Sequence, residues 1–427
     1  MSNQESTSPG TLHRLRPLVP RDPNEKGRSS SPLELLFDLT FAAAFSVAGT
    51  QFAELLAKGE LRPALLGMTF ACFCIIWAWI NYSWFASAYD NDDWGSRLQA
   101  MIVMVGVVIF ALGIPPMFKS VEEGDHLNNR TIVLGYVVMR LALLVGWLRA
   151  RRNDPERRSQ INAYLTNLVI AQAGWIVVAL VPFSLPVGLG ISVVLVVLEL
   201  IGPVFAERGR VGTPWHPEHI AERYGLLAIV TLGEGVIGTV ASLSAVVGND
   251  NWSFEAVLVV IAGIGLTFAM WWVYYAANSA TILEYYRERV LSFAYLHFPV
   301  FISIAAVGAG LHVSSYWITR EATISEFQVV GAVAIPVLLF VLSVNAFYYA
   351  VYRGAHGGHQ GFHGMLVIVT CAVIAVAMLM ASRGVSIGWC LIVVMLAPWV
   401  SVVGYETVGH RHIARDEATL LAAKKQG

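Results

Sequence analysis

Charge is scarce in this chain. Only 13% of its 427 residues are charged, against roughly 25% in a soluble domain, and 56% are hydrophobic. This balance excludes an ordinary water-soluble fold. The net charge of -1 leaves no basic excess, and the Lys and Arg residues are scattered through short loops. Nucleic acid is therefore not expected as a partner, because phosphate binding needs a concentrated basic surface.

Cysteine is rare as well. All four cysteines lie in apolar runs, so the sequence predicts neither a disulfide framework nor a cysteine zinc site. Residues 1–32 are polar and rich in Ser, Pro and Arg, and they lack the apolar core of a secretory signal. This composition predicts a disordered cytosolic tail. Nothing in the sequence indicates a cofactor.

Long apolar runs, by contrast, recur twelve times after the polar tail. Each run is long enough to cross a hydrocarbon layer of roughly 30 Å as a helix. The predicted fold class is therefore all-α, a polytopic membrane protein with twelve transmembrane helices. The predicted limits are 33–57, 63–88, 98–118, 131–149, 161–182, 185–206, 218–245, 255–278, 289–312, 326–352, 364–382 and 385–406.

The charges of the loops predict the orientation. With the N-terminus inside, the cytoplasmic loops and tails hold 20 Lys and Arg residues and the opposite side holds 6. Positive charge accumulates in the cytoplasmic loops of membrane proteins. Both termini are therefore predicted to be cytoplasmic.

An internal repeat of about 190 residues predicts two halves. The second run ends in WAWINYSWFASAYDNDDWGSR and the eighth in WWVYYAANSATILEYYRER. Both segments contain an aromatic cluster, small residues, an acidic loop and a closing Arg. Six spans per half is an even number, so the halves are predicted to be parallel. The predicted divisions are 1–32 (tail), 33–210 (first half), 211–406 (second half) and 407–427 (cytosolic C-terminal tail).

Four ordered motifs resemble a known family. ELLFDLTF, YDNDDWGSRL, AERYGLLAIVTLGE and YLHFPVFISIAAVGAGL are similar to segments of the bacterial low temperature requirement A family, over residues 33 to the early 400s. The resemblance implies a multi-pass protein of the bacterial inner membrane. The family name refers to growth in the cold and names no molecular activity. Gly235 departs from the pattern, since a hydroxyl residue is common there, and this departure affects what Glu234 is expected to bind.

Carboxylates inside predicted spans are the first candidate functional residues. A charge near the centre of a membrane helix costs about 2.5 to 3.5 kcal/mol on insertion scales, so such groups usually mark pathways or reaction sites. Glu34 is also explained by a capping box behind Pro32. Asp38 lies one turn deeper, beyond the free backbone amides. Aligning the repeat places Asp38 opposite Arg223 or, after a shift of one residue, opposite Glu222.

Glu234 lies about fifteen residues into the seventh span, where no helix cap explains it. The glycines around it form a nominal GxGxxG, but no strand precedes them, so a dinucleotide site is excluded. They favour close helix approach or a helix break. Arg140 and Glu199 complete a central set. Glu234 therefore either moves protons or ions, or forms a structural ion pair with Arg140.

The histidines carry weaker signals. His297, in the ninth span, is either a hydrogen-bonded core residue or part of a proton relay, because imidazole titrates near neutral pH. The loop HGGHQGFH has spacings that suit a metal, but its glycines and the absence of a further ligand favour a solvated loop. The weak metal candidates in that loop are His356, His359 and His363.

The acidic loop after the second span has two interpretations. Its DxDD pattern, Asp90 to Asp93, occurs where a carboxylic acid protonates an alkene or where carboxylates hold Mg²⁺. It also fits a structural role, in which Asp92 or Asp93 caps the third span and pairs with Arg97.

Together these features predict a proton- or ion-coupled transporter of unknown substrate. Desolvation favours the protonated form of a carboxyl, which suits proton coupling. The alternatives are an intramembrane enzyme acting on a lipid or isoprenoid through paired carboxylates, and a non-catalytic membrane factor for cold adaptation. Expected partners are the lipid bilayer and a small molecule or ion, and association into a homo-oligomer is left open. The predicted path residues are Glu34, Asp38, Arg140, Glu199, Glu222, Arg223, Glu234 and His297. A predicted cytoplasmic gate, or alternative acid site, is formed by Asp90, Asp92, Asp93 and Arg97.

Overall fold

The computed structural model describes residues 15–25, 27–208, 211–247, 254–276, 279–351, 360–412, 414–415 and 418. This part of the chain is almost entirely helical. The helices are Pro32–Ala57 (α1), Leu61–Tyr89 (α2), Trp94–Glu123 (α3), Arg130–Asn153 (α4), Arg158–Leu180 (α5), Leu185–Ala206 (α6), Pro217–Val247 (α7), Phe254–Tyr275 (α8), Ser279–Tyr285 (α9), Val290–Ile318 (α10), Glu326–Val351 (α11), Gln360–Ser382 (α12) and Ile387–Gly404 (α13).

Within the described residues, twelve helical segments are long and apolar enough to cross a membrane. The short α9 extends the segment that begins in α8, and a π-helical turn at Tyr405–Gly409 extends α13. The structure thus confirms the predicted all-α class and the predicted number of spans.

Several helices run beyond their predicted ends. The third span is predicted over 98–118, but α3 covers Trp94–Glu123 and ends at Gly124, whose φ of 79° closes the helix. A left-handed glycine is a common helix terminator. Hydropathy marks only the apolar part of a span, whereas the helix continues through polar residues until a capping residue stops it.

The segment before α1 is folded where the structure describes it. Leu18 is fully buried, and the Arg28 guanidinium donates to the carbonyl oxygens of Ser87 (2.5 Å) and Ala86 (3.0 Å). These carbonyls belong to the last turn of α2, whose oxygens lack helical partners. The described residues 15–25 and 27–31 of the predicted disordered tail therefore form a structured strap, since their arginines and main chain supply donors to that helix end.

The chain divides into two compact units. Unit 1 comprises Met1–Ala44 and Trp77–Ile220, and unit 2 comprises Phe45–Ile76 and Ala221–Gly427. The helices α1 and α2 each contribute one part to each unit. The division into two parallel six-helix repeats at residue 210 stays a prediction.

Glycines set the closest helix contacts within each unit. In unit 1, a Cβ added to Gly135 of α4 would lie 2.4 Å from the backbone nitrogen of Phe110 in α3. In unit 2, a Cβ on Gly310 of α10 would lie 2.3 Å from the Ala332 carbonyl oxygen in α11. Neither glycine leaves room for a side chain, as expected where membrane helices approach backbone to backbone.

Candidate functional site

A buried ion pair lies inside unit 1. Glu199 of α6 accepts hydrogen bonds from the Arg140 guanidinium and the Tyr136 hydroxyl of α4, from Trp77 Nε1 of α2 and from Trp175 Nε1 of α5. The Tyr136 and Trp175 bonds are both 2.8 Å long. Arg140 and Glu199 are 4% and 3% exposed. One carboxylate thus joins four helices.

The lone pairs of this carboxylate are occupied. A carboxylate has about four acceptor positions, and four different groups donate to Glu199. Arg140 and Glu199, which the sequence adds to Glu234 to complete a central set, are therefore brought together as a structural clamp. The alternative that Arg140 pairs with Glu234, a residue of unit 2, stays a prediction.

The two carboxylates of α1 in unit 1 also have donors. The Ser31 amide donates to Glu34 Oε2 (2.8 Å) and the Glu34 amide to Ser31 Oγ (3.3 Å), which confirms the predicted capping box. Glu34 Oε1 additionally lies 2.9 Å from His219 Nε2, and both side chains are buried. One turn deeper, Asp38 is fully buried and accepts from Trp79 Nε1 at 2.6 Å.

The partners predicted for Asp38 stay predictions. Arg223 and Glu222 belong to unit 2, whereas Asp38 belongs to unit 1. Arg223 is itself fully buried in the described structure, and Glu222 is half-buried.

Sequence reasoning missed the indole donors. Tryptophans near the end of a span are typical of the membrane interface, but Trp77 and Trp79 are both buried and each donates to a carboxylate. The useful signal is chemical, since a buried indole N–H needs an acceptor and a buried carboxylate needs donors. His219 has no such signal, because a histidine in the first turn of a helix is common at a solvated helix end.

Glu234 lies in unit 2 in a different environment. It is the eighteenth residue of α7, about 25 Å along the helix from Pro217, and it is 4% exposed. It makes no ion pair with any residue that the structure describes. The Ser46 side chain of α1 lies near its carboxylate. This deep carboxyl group therefore has a neutral hydroxyl, and no described cation, beside it.

Glycines surround Glu234, as the sequence predicts. A Cβ on Gly308 of α10 would meet the Glu234 backbone at 2.7 Å, and a Cβ on Gly238 would meet the Gly308 carbonyl oxygen at 2.5 Å. The backbones of α7 and α10 therefore touch at the carboxylate. On the α8 side, Thr267 Oγ1 occupies the space that a side chain at Gly235 would need, at 2.4 Å from its Cβ position. A hydroxyl from α8 thus stands where the resembling family often has one on α7.

His297 is a fully bonded core residue of unit 2. Its Nδ1 lies 2.7 Å from the Phe293 carbonyl oxygen and its Nε2 lies 3.0 Å from the Tyr274 hydroxyl. Because a carbonyl oxygen only accepts, Nδ1 carries the hydrogen, and Nε2 accepts from the phenol. The ring also packs edge-on against Tyr224, with centroids 4.7 Å apart. This arrangement suits a neutral imidazole, and its predicted role in a proton path stays a prediction.

The acidic loop of unit 1 follows its structural interpretation. Asp93 caps α3 by accepting from the Ser96 amide at 2.7 Å, and it also accepts from Arg149 at 2.9 Å. Asp92 pairs with Arg97 through both carboxylate oxygens (2.9 and 2.8 Å), and this pair is exposed. Asp90 accepts from the Asp92 amide at 2.8 Å. These carboxylates are occupied in closing a loop.

The predicted histidine loop lies partly outside the described residues. Among the residues that the structure describes, no group of three or more His, Cys, Asp or Glu side chains is arranged to hold a metal ion. His363 lies in the first turn of α12 with its ring against Phe362. His356 and His359 lie outside the described residues.

The comparisons with known proteins agree with the resemblance in the motifs. A family model described as bacterial low temperature requirement A protein matches residues 29–398. An uncharacterized protein of Rhizobium meliloti is 25% identical over 265 residues, which is 60% of this chain and 60% of that relative. Solved structures give no match. Since the family model covers most of the chain, including α1 to α12 and the Glu199 and Glu234 sites, the chain belongs to the bacterial low temperature requirement A family.

Proposed function

We propose that this protein is a proton- or ion-coupled transporter in which Glu234 is the group that binds the coupling cation. The observation that carries the proposal is the environment of this carboxyl group. It is buried in the middle of a membrane-spanning helix, and no cation among the described residues neutralises it.

The physical argument begins with the cost of an isolated charge. An ionised carboxylate without a counter-charge in a low-dielectric interior is so unfavourable that such groups are normally paired, metal-bound or neutral. The Ser46 hydroxyl near Glu234 is too little to replace a hydration shell. Binding a proton or another cation removes the charge, so occupancy of this site changes the energy of the α7 and α10 contact around it.

Unit 1 provides the contrast within the same chain. Glu199 receives four donors, one of them a guanidinium. A carboxylate held in this way has a structural role, because removing it would strand the Arg140 charge. The chain therefore contains one deep carboxylate with a cationic partner, Glu199, and another, Glu234, that gains and loses a neutralising cation.

The proposal includes the membrane and the orientation. We place the protein in the inner membrane with both termini in the cytoplasm, on the basis of the excess of Lys and Arg in one set of loops. In this orientation α7 runs from the cytoplasm outward, and Glu234 lies past its midpoint.

Flux measurements test the function. The purified protein is reconstituted into liposomes with an internal pH dye, and proton and alkali-cation movement is followed under imposed gradients. We expect flux from the wild type and loss of flux in Glu234→Gln, with normal yield, because the amide keeps the shape without binding a cation. Glu123→Gln, at an exposed site near the end of α3, is the matched control. Absence of flux under every gradient, or equal flux in Glu234→Gln, contradicts the proposal.

A further inference from the structure

A line of polar side chains on α1 leads away from Glu234 within unit 2. Ser46, Thr50 and Glu54 recur at every fourth position and therefore lie on one face of the helix. All three are half-buried. Ser46 lies near the Glu234 carboxylate. The eight residues from Ser46 to Glu54 correspond to a rise of about 12 Å towards the end of α1.

The helix α10 lines the other side of this face. Glu54 is close enough to the Tyr316 phenol for its charge to act on it, and His312, one turn earlier on α10, is also half-buried. The Thr323 amide, just after α10, donates to the Ala57 carbonyl oxygen at 2.8 Å. The ends of α1 and α10 are therefore tied together on the side where Glu54 lies.

The helix α7 closes against α10 at the same level. Ser242 Oγ of α7 donates to the Leu311 carbonyl oxygen at 2.6 Å, and Ser315 Oγ of α10 donates to the Ala241 carbonyl oxygen at 3.2 Å. These two bonds tie α7 to α10 at the level of Ser242 and Ser315. A Cβ on Gly49 of α1 would lie 4.0 Å from Glu234 Oε2, so the α1 backbone comes close to the carboxylate at this position.

The other direction along α7 and α10 is closed by aromatic rings. Tyr224 is buried and packs against His297 and Phe301, with centroid distances of 4.7 and 6.1 Å. His297 has both ring nitrogens occupied and is also buried. Within the described part of unit 2, the half-buried face of Ser46, Thr50 and Glu54 approaches Glu234 from the end that holds Glu54.

We propose that the face formed by Ser46, Thr50 and Glu54 is the route by which a proton passes between Glu234 and the extracytoplasmic side. This inference rests on the proposed function and its orientation, and it names the coupling ion. Hydronium gives one proton to a chain of hydroxyls and water and becomes water itself. The proton passes along this chain to the Glu234 carboxylate, which becomes a carboxylic acid. The reverse step releases the proton.

The donor set favours a proton over a metal cation. Metal ions such as Ca²⁺ take six or more oxygen ligands, whereas the Glu234 site offers one carboxylate and one hydroxyl, and the described residues contain no cluster suited to a metal. A proton needs only a single basic oxygen and a chain of hydrogen-bonding groups. Glu54 at the end of the face supplies a negative charge that raises the local proton concentration.

Cysteine accessibility tests the route. In a background with the four native cysteines replaced by Ala, the variants Ser46→Cys, Thr50→Cys and Glu54→Cys are exposed in intact cells to a cationic, membrane-impermeant thiol reagent. We expect fast labelling of Glu54→Cys, slower labelling of Thr50→Cys and slowest labelling of Ser46→Cys. Ala48→Cys and Ala53→Cys are matched controls on the same helix, since both alanines are fully buried, and they should stay unlabelled.

Three results would overturn the route. The Thr50→Cys and Glu54→Cys variants could fail to react with the impermeant reagent, they could react with a lipid-soluble maleimide alone, or they could react only from the cytoplasmic side, in inverted vesicles. Gel filtration verifies that each variant is folded, and the Thr50 and Glu54 variants decide the matter if Ser46→Cys does not fold. The two proposals fail differently. Lost labelling with intact dependence of flux on Glu234 rejects the route, whereas normal labelling with flux independent of Glu234 rejects the proposed function.

Discussion

The substitution Glu199→Gln tests whether the ion pair of unit 1 is a structural clamp. The amide keeps one oxygen that accepts from Tyr136 or Trp175, but its NH₂ group faces the Trp77 N–H or the Arg140 guanidinium, and the Arg140 charge loses its counter-charge. Removing one partner of a buried ion pair costs roughly 3 to 5 kcal/mol. For a unit of this size such a loss corresponds to a fall of roughly 10 °C in the midpoint of thermal unfolding.

The assay is the fraction of detergent-solubilised protein that stays monodisperse after heating. Glu123→Gln is the matched control, because Glu123 is exposed and its oxygen lies 3.7 Å from Lys119, so the change should be within about 0.5 kcal/mol of the wild type. Arg140→Gln should also destabilise, and the double variant should be milder than the sum of the two by about 0.5 to 3 kcal/mol. If Glu199→Gln unfolds at the same temperature as Glu123→Gln, or if the effects of Glu199→Gln and Arg140→Gln are additive, the ion pair does not stabilise unit 1.

Three further predictions concern other parts of the chain. Asp93→Ala should cost about 1 to 2 kcal/mol at neutral pH. Burial alone would raise the pKa of Asp93, but hydrogen bonds from Ser96, Arg16 and Arg149 outweigh this effect and lower the pKa. The stabilisation is therefore present above the unfolded pKa of about 3.9 and is lost as the pH falls below it. The urea-unfolding midpoints of the variant and the wild type should converge in acid, and a constant difference between them would refute the prediction. Gly308→Ala should reduce yield and thermal stability because its Cβ would meet the Glu234 backbone at 2.7 Å, whereas the control Gly190→Ala, with nothing within 4 Å, should be tolerated; equal behaviour would show that α7 and α10 do not touch there. Tags at both termini should be accessible only from the cytoplasm and a tag in the loop between α3 and α4 only from outside, and opposite labelling would reverse the orientation.

The sequence predicted the helices well because membrane helices obey a strong rule. Every backbone polar group must be satisfied within the helix in lipid, so an apolar run of about twenty residues has essentially one structural outcome. Helix ends were less predictable. The run that ends near residue 118 continues as helix to Glu123 because Gly124, not hydropathy, terminates it.

The sequence points to the buried charged residues but not to their partners. Glu234, Glu199 and Arg140 stand out because each is a charged residue within an apolar run. Their partners depend on which helices pack together, and one sequence does not contain that information. Glu199 receives indole donors from α2 and α5, and nothing in the local sequence around Trp77 or Trp175 distinguishes them from tryptophans at the membrane interface.

The strap before α1 illustrates a different limit. Its composition is that of a disordered segment, yet Arg28 and Leu18 hold its described part to unit 1. A few specific contacts at a helix end are enough to order this segment, and the average composition of the segment does not reveal them.

The central claim is that Glu234 binds and releases a proton inside the membrane, and infrared spectroscopy tests it most directly. Difference spectra of reconstituted protein are recorded across a pH titration in H₂O and D₂O, and the carbonyl stretch of protonated carboxyl groups is followed. The account predicts a titrating, deuterium-sensitive carboxylic acid band in the wild type and in Glu123→Gln that is absent from Glu234→Gln. An unchanged band in Glu234→Gln would contradict the account, because the proton would then reside on another group.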